Sequence, residues 1–143
     1  YDIPISPTAE VTITITGTGT VSVGMIIVGD WRTVIGEADW GGVQYGASAE
    51  PKTYSYIKFN EDGTSNIRRR GKSTDMRGTV AMPAASAEYA NSLVQRVLDV
   101  PVSIVCTQAP GYDYLNVFGL ISATVKADTA VTSSFDFSVK GFL

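Results

Sequence analysis

Histidine is absent from this 143-residue chain, and cysteine occurs once, at Cys106. Without imidazole the commonest general base and the commonest metal ligand are missing, and a Ser-His-Asp triad cannot be built. A single thiol excludes an intrachain disulfide and a cysteine-based zinc site; it neither requires nor excludes secretion. Charge is also scarce. Asp, Glu, Lys and Arg make up 17% of residues, below the ~25% of an average soluble domain. A net charge of −3 argues against wholesale electrostatic binding of nucleic acid. No apolar run approaches the ~20 residues that span a bilayer, so membrane insertion is not expected, and no signal peptide is recognisable. Because the sequence begins at Tyr1 rather than Met, it reads as a processed form or as the ordered part of something longer.

What is present points to β-structure. Hydrophobic residues make up 44% of the chain and glycine occurs 14 times, in a sequence rich in Val, Thr and Ser. Residues 1–9 hold two prolines, which favour extended backbone, and read as an arm outside a single β-rich domain over 10–143. Val11, Ile13 and Ile15 alternate with Thr12, Thr14 and Thr16, the period-two pattern of a strand with one buried face. Gly17-Thr-Gly19 reads as a turn into a second strand over 20–28; it is no phosphate loop, since no further glycine, lysine or helix follows it. Residues 36–51 contain four glycines and Pro51 and read as a long loop. Asn60-Glu-Asp-Gly63 between two strand-like runs, 54–59 and 64–70, predicts a hairpin. A further strand is expected over 75–82.

Ala90, Leu93, Val94, Val97 and Leu98 recur at helical spacing and predict one helix over 84–98, with Pro83 suited to its first turn and Ser86 as an alternative cap. Val102 to Thr107 is nearly continuously apolar and reads as a central strand. Two more strands are expected over 112–126, with a break at Gly119, and over 131–142. Short connections favour antiparallel pairing. Burying both faces of seven to nine strands calls for two packed, largely antiparallel sheets, a β-sandwich or barrel-like fold, with one flanking α-helix.

Catalytic machinery is not evident, and the chain reads as a non-enzyme without a cofactor. The carboxylates Asp30, Glu37, Asp39, Asp113 and Asp128 fall mostly in turns, where Asp serves local hydrogen bonding, and no spacing marks an acid/base pair. Arg68, Arg69 and Arg70, with Lys72 and Arg77, form the densest basic cluster. Along a strand Arg68 and Arg70 would face one way and Arg69 the other. They read either as a clamp on carboxylates of a neighbouring subunit or as a solvated edge. Trp40 and Tyr45, on the glycine-rich loop, are candidate anchors for a protein interface. With Asp39 they would alternatively form a stacking platform for sugars. Trp31 and Cys106 read as core residues. Ile3, Pro4, Ile5 and Pro7 of the arm are candidate inter-subunit contacts.

Several segments resemble virion proteins of tailed bacteriophages. They are the run from Val11 to Val28, the Val43-Gln-Tyr-Gly-Ala-Ser48 signature, and Asp62-Gly-Thr64 followed by Arg69-Arg-Gly-Lys-Ser73. Further on come the helix from Ala87 to Leu98 leading into Val100-Pro-Val-Ser-Ile-Val-Cys106, Val117-Phe-Gly-Leu-Ile121, and Phe135-Asp-Phe-Ser-Val-Lys-Gly-Phe-Leu143. Together they cover most of the chain. The resemblance implies a structural part of the phage tail, its tip or baseplate; in expected architecture alone, a helix flanking a two-sheet β-structure, the chain is also similar to distal-tail or tail-tube proteins. It implies location in the virion and homo-oligomeric assembly with other virion proteins. The alternative function is a carbohydrate-binding module that recognises a host-surface glycan. The motifs are structural rather than catalytic, and fold alone does not fix function.

Overall fold

The structure, a computed structural model, describes residues 10, 12–23, 26 and 29–142. The arm residues Ile3, Pro4, Ile5 and Pro7 lie outside the described residues. The chain divides into two compact units, Tyr1–Thr33 and Val34–Leu143.

In the first unit, the described residues of the two expected strands form no strand. The turn is present: the chain bends at Thr18 and Gly19, where φ is +106°. A Cβ at Gly17 would stand 2.7 Å from Cγ2 of Val21, so the chain closes tightly on itself there. Ile13, Ile15, Val21, Val23 and Trp31 are exposed, which also corrects the reading of Trp31 as a core residue. Alternation states which face a strand would bury. It does not supply the neighbouring backbone that turns an extended segment into a ladder.

The second unit holds β1 (Gly42–Val43), β2 (Ser48–Thr53), β3 (Tyr56–Phe59), β4 (Ser65–Arg68), β5 (Lys72–Pro83), α1 (Ala87–Val97), β6 (Val102–Val105), β7 (Asn116–Ala127) and β8 (Thr132–Gly141). Six strands make one antiparallel sheet in the order β1-β5-β8-β7-β6, with β2 also pairing along β5. β3 and β4 form a separate two-stranded sheet. The mainly β content, the antiparallel pairing and the flanking helix agree with the expectation. Two stacked sheets are not what the described residues form: α1 covers the six-stranded sheet instead.

The core follows from strand parity. On β8, Phe135, Phe137 and Val139 point inward, while Ser134, Asp136, Ser138 and Lys140 point outward. Phe135 is 1% exposed and sits opposite Val80 of β5 and Val125 of β7. Met76 and Met82 from β5, Val117 from β7, and Ala90 and Val94 from α1 complete the cluster. Leu115 joins it from a single 3-10 turn at Asp113–Leu115, so β7 starts later than the sequence pattern suggests. Cys106 packs against this core, as expected; its thiol donates to Sδ of Met76 at 3.6 Å, and burial pushes its pKa up.

Three local readings change. The expected long loop contains β1 and the first four residues of β2, and Pro51 is accommodated because β2 lies on the sheet rim, where a missing N–H costs no ladder bond. β6 is a rim strand rather than a central one; its Ile104 and the adjacent Cys106 pack against the core, so burial comes from packing above it and not from a strand on each side. Gly119 does not interrupt β7. It pairs with Gly141, and both glycines permit close backbone approach. Ser86 makes no side-chain cap; its hydroxyl donates to the carbonyl of Ile35 at 3.0 Å, tying the 34–38 turn to the start of α1. The helix ends at Val97, and in the turn that follows Asp99 takes a φ of +61°, a conformation that Asp tolerates better than most residues.

Candidate interaction surface

β2 and β5 run on beyond the sheet as a projecting hairpin. After the last rung of that ladder, Thr53 opposite Lys72, Tyr54 N–H donates to the carbonyl of Gly71 at 3.2 Å and Arg70 N–H donates to Oγ of Ser55 at 3.1 Å. β3 and β4 then pair in the register Tyr56–Arg68, Ile57–Ile67, Lys58–Asn66 and Phe59–Ser65. The tip is closed by a dense set of bonds. Asn60 N–H donates to the Thr64 carbonyl at 2.9 Å, Gly63 N–H to the Asn60 carbonyl at 3.1 Å, and both the N–H and hydroxyl of Thr64 donate to Asp62. Those two bonds hold the Asp62 carboxyl below its usual pKa. Gly63 takes a φ of +81°, which suits the residue that closes such a turn.

Directly opposite residues share a face. Ile57, Phe59 and Ile67 therefore line one face with Ser65, and Tyr56, Lys58, Asn66 and Arg68 the other. Every residue of both strands is exposed, Phe59 to 76%. A two-stranded ribbon standing alone is marginal in water, yet this one carries three large apolar side chains on one side. Sequence reasoning placed the hairpin but missed this face. The signal was available: pairing Asn60 with Thr64 across the turn sets Ile57 opposite Ile67.

The basic cluster belongs to the same hairpin. Arg68 is the last residue of β4, while Arg69 and Arg70 lie in the connection to β5. The expected alternation of three arginines along one strand is therefore not realised. All three are exposed, and among the described residues none joins an ion pair. Trp40 and Tyr45 stand at the two ends of β1. Gly41, with φ +133°, presses against β5, where a Cβ would meet the Ala81 carbonyl oxygen at 2.7 Å, and Trp40 is left 48% exposed. Tyr45 is fully exposed in the next turn, and Asp39 is exposed beside Trp40. Among the described residues no ring contact joins Trp40 to Tyr45.

Compared with models of known families and with curated proteins, the chain matches none.

The outward face of the sheet carries Phe118, Leu120 and Phe142 at one end and is otherwise largely polar and internally paired. Lys126 and Thr79 both donate to Asp136, the hydroxyl at 2.7 Å, and Lys52 pairs with Asp75. These partners hold both carboxyls below the ordinary range, chiefly through the lysine hydrogen bonds, and hold Lys52 and Lys126 above theirs. Arg77 reaches Glu50 at 3.2 Å. Of the carboxylates considered for catalysis, Asp30 is paired with Arg32 at 3.3 Å and Asp128 accepts from the Ser134 hydroxyl at 3.1 Å. Among the described residues no cluster of three or more His, Cys, Asp or Glu side chains is placed to hold a metal, and no helix is long and apolar enough to cross a membrane.

Proposed function

We propose that this chain is a structural subunit of a tailed-phage particle, in the tail or its tip, acting by assembly with copies of itself and with other virion proteins. The observation that carries this reading is the apolar face of Ile57, Phe59 and Ile67, presented on a well-closed hairpin that projects from a fully formed core. A face of this kind gains free energy only when another surface covers it. The resemblance of the sequence motifs supplies the kind of particle. The test is incorporation. The full chain should co-sediment with purified particles, whereas a chain lacking residues 1–9 should fold with an unchanged melting curve and stay out. Absence of the full chain from particles would refute the assignment; normal entry of the shortened chain would remove the arm from it.

The exposure of Trp40 and Tyr45 favours a second reading, a module for a host-surface glycan. A glycan array probed with the natural chain and with Trp40→Ala separates the two. Binding that disappears on substitution supports the module, and no binding to any glycan leaves the structural role.

A further inference from the structure

The hairpin and the rest of the chain differ in charge. Residues 54–72 hold five of the eleven cationic residues and two of the fourteen acidic ones, a net of +3, while the remainder carries −6. The positive charge is grouped at the hairpin base as Arg68, Arg69, Arg70 and Lys72, with Lys58 on the strand beside it. By contrast, Lys52, Arg77 and Lys126 are already paired with Glu or Asp of their own sheet. Within the second unit the hairpin therefore offers an uncovered apolar face with the unpaired Arg69 and Arg70 at its base, while Lys58 and Arg68 lie on the opposite face; the body offers an excess of carboxylates, Glu37, Asp39, Glu88, Asp99 and Asp113 among them.

We propose that the occupant of the hairpin face is a second copy of this chain. In that contact Ile57, Phe59 and Ile67 seat on the body of the neighbour, and Arg69 and Arg70 at the hairpin base engage its carboxylates. The proposal rests on the assembly reading and names the surface and partner it uses. Arginine suits the task because its fork pairs with carboxylates in two parallel hydrogen bonds. The two patches differ, hairpin on one copy and body on the other, so the contact is head-to-tail. Contacts of that kind either close into a ring or continue as a filament.

The size of the patch sets the strength. Each strand has four residues, about 14 Å of ribbon at ~3.4 Å per residue. A stable interface covers ~800 Å² on each partner, which one ribbon face does not reach. A single contact is therefore weak, and association must depend strongly on concentration.

Sedimentation velocity on the full chain, from micromolar concentrations to about 1 mM in low salt, tests this. The weight-average mass of the natural chain should climb with concentration. The combined Ile57→Ser, Phe59→Ser and Ile67→Ser substitutions should weaken self-association at least ~10-fold, as loss of a central apolar anchor does. Reversal of Arg69 and Arg70 to Glu should weaken it similarly in low salt. The effect of reversal should largely vanish in 1 M salt, where charges are screened beyond ~3 Å. Melting curves of both variants should match the natural chain, because the substituted side chains lie outside the core. A photo-crosslinking residue at position 59 should join two copies, with the second attached through its body and not through its own hairpin. A natural chain that remains monomeric at the highest concentration overturns the proposal. So does a serine variant that associates as the natural chain does, or a chain that binds a duplex DNA or heparin probe through the hairpin without self-association. Particle incorporation is scored separately. Incorporation without hairpin dependence discards this inference and leaves the assembly reading, whereas absence from particles discards that reading itself.

Discussion

Replacing Gly141 by alanine is the sharpest test of how the sheet is assembled. Gly141 has ordinary extended backbone, so alanine loses nothing in conformational freedom; the entire cost is steric. The added Cβ would point straight at the Thr74 carbonyl of β5, with the carbonyl carbon at 2.9 Å and the Thr74 nitrogen at 3.2 Å. Carbon atoms prefer 3.5–4.0 Å, and the obstacle is backbone in the middle of a ladder, which cannot rotate aside as a side chain can. β8 would have to move by more than half an ångström against β5 while still paired with β7. Overpacking of this sort costs about 1–3 kcal/mol when side chains absorb it, and the backbone contact puts Gly141→Ala at or above about 3 kcal/mol. For a unit of this size each kcal/mol lowers Tm by roughly 4 °C, so a fall of at least about 12 °C is expected in a thermal melt followed by circular dichroism. Gly78→Ala is the matched control. Its Cβ meets side chains rather than backbone, the Phe137 ring at 2.9 Å and Ala47 Cβ at 3.2 Å, which can shift by a few tenths of an ångström more easily than a paired strand, so a smaller fall is expected. A Gly141→Ala melt within about 2 °C of the natural chain would show that β5 and β8 do not approach as described.

Phe135→Ala should cost about 3–5 kcal/mol by chemical denaturation, the range for truncating a buried aromatic, whereas Phe59→Ala on the hairpin should stay within about 0.5 kcal/mol, the range for surface sites; equal effects would contradict the placement of the core. Stability should also fall in acid. Asp75 and Asp136 have folded pKa values lowered from 3.8, so their contribution is complete above the unfolded value and is lost as pH drops through the lowered folded values. Lys52 and Lys126 are raised from 10.5, so their contribution holds below that value and is lost as pH climbs through the folded ones. A Tm profile should therefore be flat across neutral pH and decline at both ends, modestly because the pairs are exposed. Asp136→Asn should shallow the acid limb, and an unchanged limb would remove that pair from the account.

Much of this architecture could be read from residue order alone. The Asn60–Gly63 turn announced its hairpin because the residues that close it are local, and the alternation of Phe135, Phe137 and Val139 announced β8 because one face of that strand is buried along its whole length. The helix showed itself through Ala90 and Val94 on one side. What escaped is nonlocal. Val102, Ile104 and Val105 are apolar whether a strand lies on one side of them or on both, so position in the sheet cannot be read from them. Gly119 looks like a breaker in isolation and becomes a point of close approach only when Gly141 lies opposite. Ile13 and Ile15 alternate correctly for a strand, yet alternation contains no information about a pairing partner. Ile57, Phe59 and Ile67 look like ordinary core residues until the register shows them together on an uncovered ribbon.

The two rims of the main sheet are unequally protected. The β2 rim carries Glu50, Pro51 and Lys52, which discourage an incoming strand. The β6 rim presents only Val102, Ser103, Ile104 and Val105, and no described strand lies beyond it. Should two molecules ever zip together through their bare rims, the joint would consume both at once and leave proline and charge at either outer margin. Growth by that route would halt at a pair, so the asymmetry acts as a brake on runaway fibre formation even where the protein is densely crowded.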